Sequence, residues 1–231
     1  YFLSNICYSI FSVPRHPLDM KRFVPIILFA VSFAFVESSV VVYLRSIYYP
    51  AGFTFPLSMI QPGHLWVEFA REFSTIVMLV AAGVLAGSSV WQRFAYFLIA
   101  FGVWDIFYYV WLKVILDWPA TMIDWDILFL IPIPWIGPVI APVLISLLMI
   151  IVGWLIVRRE TGDNKFRPSK TAWILSILGT ALILYTFTRD TRATMRFQPP
   201  ESFSYGVFFF GFLCYCAAAT YEFGLKRTRQ S

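Results

Sequence analysis

Four carboxylates lie where an apolar sequence has few reasons to put them. Glu37, Glu68, Glu72 and Asp105 each fall inside a hydrophobic run long enough to cross a bilayer. Ionisable groups at that depth are costly unless they are paired or functional. Their spacing has a pattern. His64, Glu68 and Glu72 recur at i, i+4 and i+8, which a helix gathers onto one face. Arg71 follows Glu68 by three residues and lies beside that face. Asp105 has Tyr109 at i+4 and Lys113 at i+8. Arg45 lies two turns beyond Glu37. Four acids thus stand against three bases, Arg45, Arg71 and Lys113. Such a set is nearly neutral, as a buried network must be. The one acid in excess must hold a proton or face a bound cation, because desolvation and like-charge neighbours disfavour its charged form. The expected chemistry is proton or cation binding at Glu37, Glu68, Glu72 and Asp105, with Arg45, Arg71, Lys113 and Tyr109 as partners.

Two other readings of these residues stand beside that one. Glu37, His64, Glu68, Glu72 and Asp105 offer oxygen and one nitrogen, a donor set that suits a divalent metal such as manganese or iron. The Glu-x-x-His pairs of carboxylate-bridged di-iron bundles are absent, so the metal signal is weak. The plain alternative is structural. Arg71 could simply neutralise Glu68 or Glu72. Asp105 could bond Tyr43 or Trp104. Arg45 and Lys113 could snorkel to headgroups.

The elements that must position these groups follow from composition. Of the 231 residues 59% are hydrophobic, 19% aromatic and only 13% charged, about half the charged share of a soluble domain. The expected solvent is lipid. The net charge of +5 resides in short loops between apolar runs, which is a topology signal and not a nucleic-acid-binding stripe. Hydrophobicity predicts an all-α bundle of six transmembrane helices at about residues 23–45, 65–87, 93–115, 137–157, 171–188 and 204–224. Residues 1–22 read as an interfacial segment or an extension. Residues 23–231 read as one domain, with no convincing repeat and no strong small-residue face around Gly179. Arg15, Lys21 and Arg22, then Arg93, then the 158–170 loop, then Lys226, Arg227 and Arg229 all fall on one side of six spans. Both termini are therefore expected in the cytoplasm, in a bacterial-type inner membrane. Arg189, Arg192 and Arg196 oppose that bias from the last outer loop, where Asp190 and Glu201 accompany them.

The outer loops are rich in aromatics and prolines. Residues 127–157 are too long for one straight span, and Pro132, Pro134, Pro138 and Pro142 should break or kink the first part. A Pro-rich interfacial or re-entrant segment before the fourth span is expected, with its backbone covered by protein. Asp117, Asp124 and Asp126 read as solvated loop carboxylates. Glu222 reads as an i,i+4 partner of Lys226. Cys7, Cys214 and Cys216 form no CxxC pair, and His16 and His64 are the only histidines, which argues against a bis-histidine haem within the chain. No nucleotide-binding or Ser-His-Asp motif occurs. Three functions remain: a transporter or ion-binding protein using the carboxylates; a non-catalytic subunit of a respiratory or photosynthetic complex, with other membrane subunits as partners; and an intramembrane carboxylate-metal enzyme. The lack of a repeat counts against the first.

Overall fold

The computed structural model describes residues 20–50, 52, 62–160, 165–191, 198 and 202–225. Nearly all of the expected N-terminal segment, as well as Arg192, Arg196, Glu201 and Lys226, lies outside those residues. Six helices are long and apolar enough to cross a membrane. They are α1 (Met20–Tyr48), α2 (Pro62–Ala86), α3 (Val90–Leu116), α4 (Ile140–Arg159), α5 (Lys170–Thr188) and α6 (Tyr205–Thr220), the last continued by a wider turn, Tyr221–Leu225. Each matches an expected span to within a few residues. Local chemistry sets several ends. The Ser89 hydroxyl accepts the Gln92 N–H at the start of α3, and Ser169 accepts the Ala172 N–H at the start of α5. Asp117 closes α3 in the left-handed conformation, with φ 53°, and its N–H returns to the Lys113 carbonyl.

The Pro-rich segment departs from an all-helical fold. Trp125–Phe129 (β1) and Trp135–Pro138 (β2) pair as an antiparallel hairpin, with Asp126 opposite Gly137 and a bulge between Ile127 and Phe129. The physical reason is local. Trp, Ile and Phe favour a pleated strand, while Pro132 and Pro134 lack the N–H a helix interior needs and fall in the turn. Pro142 does not kink α4. It sits in the first turn, where a missing N–H leaves nothing unsatisfied.

The hairpin is wedged between two apolar clusters. The larger joins α1, α3 and α4 around Ala30, Ile99, Ala100 and Ile156, and it takes Phe129 from the hairpin. The smaller joins Ala141, Ile183, Phe187, Phe203 and Phe208, and it takes Trp125, Leu128 and Trp135. Phe129 stacks on Phe101 with ring centroids 6.3 Å apart, and Trp135 stacks on Phe187 at the same distance. Glycine permits the closest helix approaches, as Gly153 and Gly179 show. A Cβ at Gly153 in α4 would lie 2.7 Å from the Ala95 carbonyl of α3, and one at Gly179 in α5 would lie 2.8 Å from the Gly211 carbonyl of α6. Gly179 thus does mark a small-residue contact, but its partner is on another helix, which spacing along one helix does not reveal.

Candidate functional site

The polar layer lies toward the end of the bundle where α1 finishes and α2 begins. Glu72 is ten residues past the start of α2, about 15 Å along the axis. Four buried carboxylates, Glu37, Glu68, Glu72 and Asp105, sit at this level, as does the buried hydroxyl of Thr75. Arg71 is the hub of the α1–α2 half. Its guanidinium donates to Glu68 Oε2, with Nε at 2.9 Å and a second nitrogen at 2.8 Å, and it also pairs with Glu37 Oε2 across the helix interface. Thr75 donates to the other Glu37 oxygen at 2.6 Å. The Glu37 carboxylate is therefore satisfied on both oxygens by α2.

Glu72, on the next position of α2, turns to the hairpin. Its Oε2 accepts the backbone N–H groups of Leu130 at 2.8 Å and Ile131 at 3.3 Å. A carboxylate thus holds the hairpin tip against α2 and supplies acceptors that the tip's own strands cannot. Asp105 faces the other way. Its Oδ2 accepts the Ser146 hydroxyl of α4 at 2.8 Å, so neither Tyr43, which is exposed, nor Trp104 is its partner. The Trp104 indole N–H is buried without a hydrogen bond among the described residues.

A further acid joins from the hairpin. Asp126 is only 3% exposed. Its Oδ1 pairs with Arg45 of α1 at 3.3 Å, and the Arg45 guanidinium lies 3.7 Å over the Trp118 ring. The Tyr109 hydroxyl of α3 faces the same carboxylate as a hydrogen-bonding neighbour, although among the described residues Oδ2 has no partner at full hydrogen-bond geometry. Burial pushes the Asp126 carboxyl up to about 6, against the opposing pull of Arg45. Tyr108, next to Tyr109, lies within electrostatic reach of Asp126, Arg45, Arg71 and Asp105, so the two halves of the layer share one field.

Several sequence expectations change. Asp126 is not a solvated loop acid. The strand carries it inward, and only a strand-period reading of residues 125–129 could have signalled this. Asp117 and Asp124 do remain toward the surface. Asp117 pairs with Lys113 at 2.7 Å, which holds its carboxyl below the usual range. Burial pushes Asp124 up, but the Thr121 hydroxyl and the N–H groups of Thr121 and Ala120 outweigh it and leave that carboxyl low. Lys113 accordingly leaves the cluster: it is exposed, and its ammonium also donates to the Pro119 carbonyl at 3.0 Å. His64 leaves too. It is exposed and shares a 2.5 Å hydrogen bond with Tyr48. The five residues offered as a metal set are not drawn together, and among the described residues no three His, Cys, Asp or Glu side chains converge on one point.

The charge count shifts as a result. Five buried carboxylates now face two guanidiniums, Arg45 and Arg71, among the described residues. The excess grows from one acid to three, and the acids are spread over α1, α2, α3 and the hairpin.

At the opposite end the acids are structural. Glu160 accepts the Ser89 hydroxyl at 2.7 Å and the Phe166 N–H, joining α3, α4 and the loop before α5. Glu222 accepts the Ser169 N–H at 2.9 Å, while Arg159 donates to the carbonyls of Glu222 and Phe223. No family profile, curated protein or solved structure matches this chain.

Proposed function

We propose that this chain is a multi-pass membrane protein with an intramembrane proton-binding site that serves the movement of an ion or small solute. The observation that carries the reading is the imbalance of charge in the polar layer, where five buried carboxylates stand against the guanidiniums of Arg45 and Arg71 among the described residues. Unpaired carboxylates in a dry bundle take up protons instead of remaining charged. The spread of the acids favours protons over a chelated divalent ion, which would need several ligands around one point. Placement of both ends and the basic turn at Arg93 on the cytoplasmic side puts the acid layer in the outer half of the membrane. The hairpin, whose tip reaches Glu72 well along α2, then fills the role of a re-entrant segment whose backbone is covered by protein. The test is proton flux into liposomes containing the purified protein and an internal pH dye, driven by an inside-negative potassium diffusion potential. Flux above protein-free liposomes, lost in Glu72→Gln and Asp105→Asn, is the expected result. No flux, or flux unchanged in both variants, contradicts the reading.

A further inference from the structure

Ser146 behaves unlike other helical hydroxyls of this chain. Ser38, Ser39, Ser74, Thr188 and Thr220 each donate to the carbonyl one turn back on their own helix. The Ser146 hydroxyl is turned away from α4 and donates to Asp105 Oδ2 of α3 at 2.8 Å, in a buried setting. The backbones meet at the same level. A Cβ at Gly102, three residues before Asp105 on α3, would lie 2.5 Å from the Ser146 carbonyl, so glycine there permits the approach that brings the hydroxyl to the acid. Asp105 also differs from the other four acids of the layer in what it meets. Glu37 and Glu68 meet the Arg71 guanidinium, Asp126 meets that of Arg45, and Glu72 meets two backbone N–H groups. An N–H group donates only, so each of these partners suits a carboxylate. The Ser146 hydroxyl both donates and accepts, so it can satisfy Asp105 with or without a proton. The titratable groups that face Asp105 are Asp126 of the hairpin and Tyr108 and Tyr109 of its own helix, and none of these is a cation.

We propose that Asp105 and Ser146 together form the site where a proton is bound and released, with Asp105 holding the proton and Ser146 as the positioning residue that satisfies both of its states. The proposal rests on the proton-binding reading above and narrows it from five acids to one. In the charged state the Ser146 hydroxyl donates to the Asp105 carboxylate. On proton uptake an O–H bond forms at Asp105, with the proton taken from a hydronium ion that leaves as water. The new O–H donates to the Ser146 oxygen. The Ser146 hydrogen swings back to the Pro142 carbonyl one turn earlier in α4, the kind of bond the other helical hydroxyls make. No bond of Ser146 breaks, and neither state strands a polar group of the pair. Proton binding on α3 is thereby sensed by a side chain of α4.

The experiment is infrared difference spectroscopy of the neutral carboxylic-acid band, on the full chain in detergent micelles at neutral pH. Asp105→Asn should remove part of the band, and that part belongs to Asp105. A carboxyl with a hydrogen-bond partner absorbs at lower frequency than a free one. The Asp105 part should therefore move to higher frequency in Ser146→Ala and return to the wild-type position in Ser146→Thr, which keeps the hydroxyl. In each Ser146 variant it is isolated by subtracting the same protein with Asp105→Asn added. Asp105→Glu keeps an acid but changes its reach to Ser146; it should shift the band and carries the assignment if the Asn variant does not fold. A band untouched by the Asp105 variants, an Asp105 part at the same frequency in wild type and Ser146→Ala, or Ser146→Thr matching Ser146→Ala overturns the paired site but leaves the proton-binding reading standing. A wild-type protein with no neutral-acid band overturns both.

Discussion

Arg71 carries more of the site than any other single side chain. It satisfies Glu68 on its own helix and Glu37 on α1. Arg71→Leu strands two buried acids, so it should cost about 3–5 kcal/mol of stability in detergent unfolding. The double variant Arg71→Leu with Glu37→Leu should recover part of that loss, because it removes one stranded charge along with its partner; no recovery would mean that the two residues do not act as a pair. Asp126 gives a pH prediction with a definite sign. Its carboxyl titrates near 6 in the fold, against the ordinary value of 3.8. The folded state therefore binds this proton more tightly than the unfolded state does. Stability should be fully present below about 3.8 and fall as pH rises toward about 6, then level off. The slope should be smaller in Asp126→Asn, as read from unfolding midpoints across that window; an equal slope in both proteins contradicts the assignment. At this scale the sequence was a fair guide where helical spacing applied. Glu68 and Arg71 pair as i,i+3 spacing suggests, while Glu37 joins them from α1 and Glu72 turns to the hairpin, which spacing along one helix does not tell. It misjudged Lys113, because a side chain at i+8 from Asp105 belongs to the helix end and finds Asp117 instead.

At the scale of elements, the hairpin makes a cluster of helices into a site. Its tip depends on one carboxylate, since Glu72 accepts the N–H groups of Leu130 and Ile131. Two such hydrogen bonds, at about 0.5–1.5 kcal/mol each, together contribute about 1–3 kcal/mol. Glu72→Ala should therefore speed amide exchange at Leu130 and Ile131 by about 10–100-fold, with less change at the buried Ile136 of β2. Glu72→Gln keeps an acceptor oxygen and should fall between. Unchanged exchange in Glu72→Ala would show that the hairpin is held by its aromatic packing alone. The hairpin was the least legible element in the sequence. Its prolines announced a break, but the pairing of Trp125–Phe129 with Trp135–Pro138 depends on a slot between two apolar clusters that no local pattern describes. Asp126 was missed for the same reason, since an aspartate between two prolinyl turns reads as a loop residue until a strand is drawn through it.

At the scale of the whole molecule, the six long apolar helices were legible, because twenty-residue hydrophobic runs leave little choice of structure. The neutrality of the interior was not. The sequence suggested four acids against three bases. The fold exchanges Lys113 for Asp126 and leaves five against two in the polar layer, among the described residues. The account stands on that imbalance: some of these carboxyls are uncharged at neutral pH. Infrared titration of the purified protein measures it directly, through the neutral-acid band of wild type and of the variants Glu72→Gln and Asp105→Asn. The account predicts a neutral-acid band in wild type that persists at neutral pH and weakens in at least one of the two variants. A band that appears only near pH 4, where ordinary surface carboxyls titrate, would contradict it.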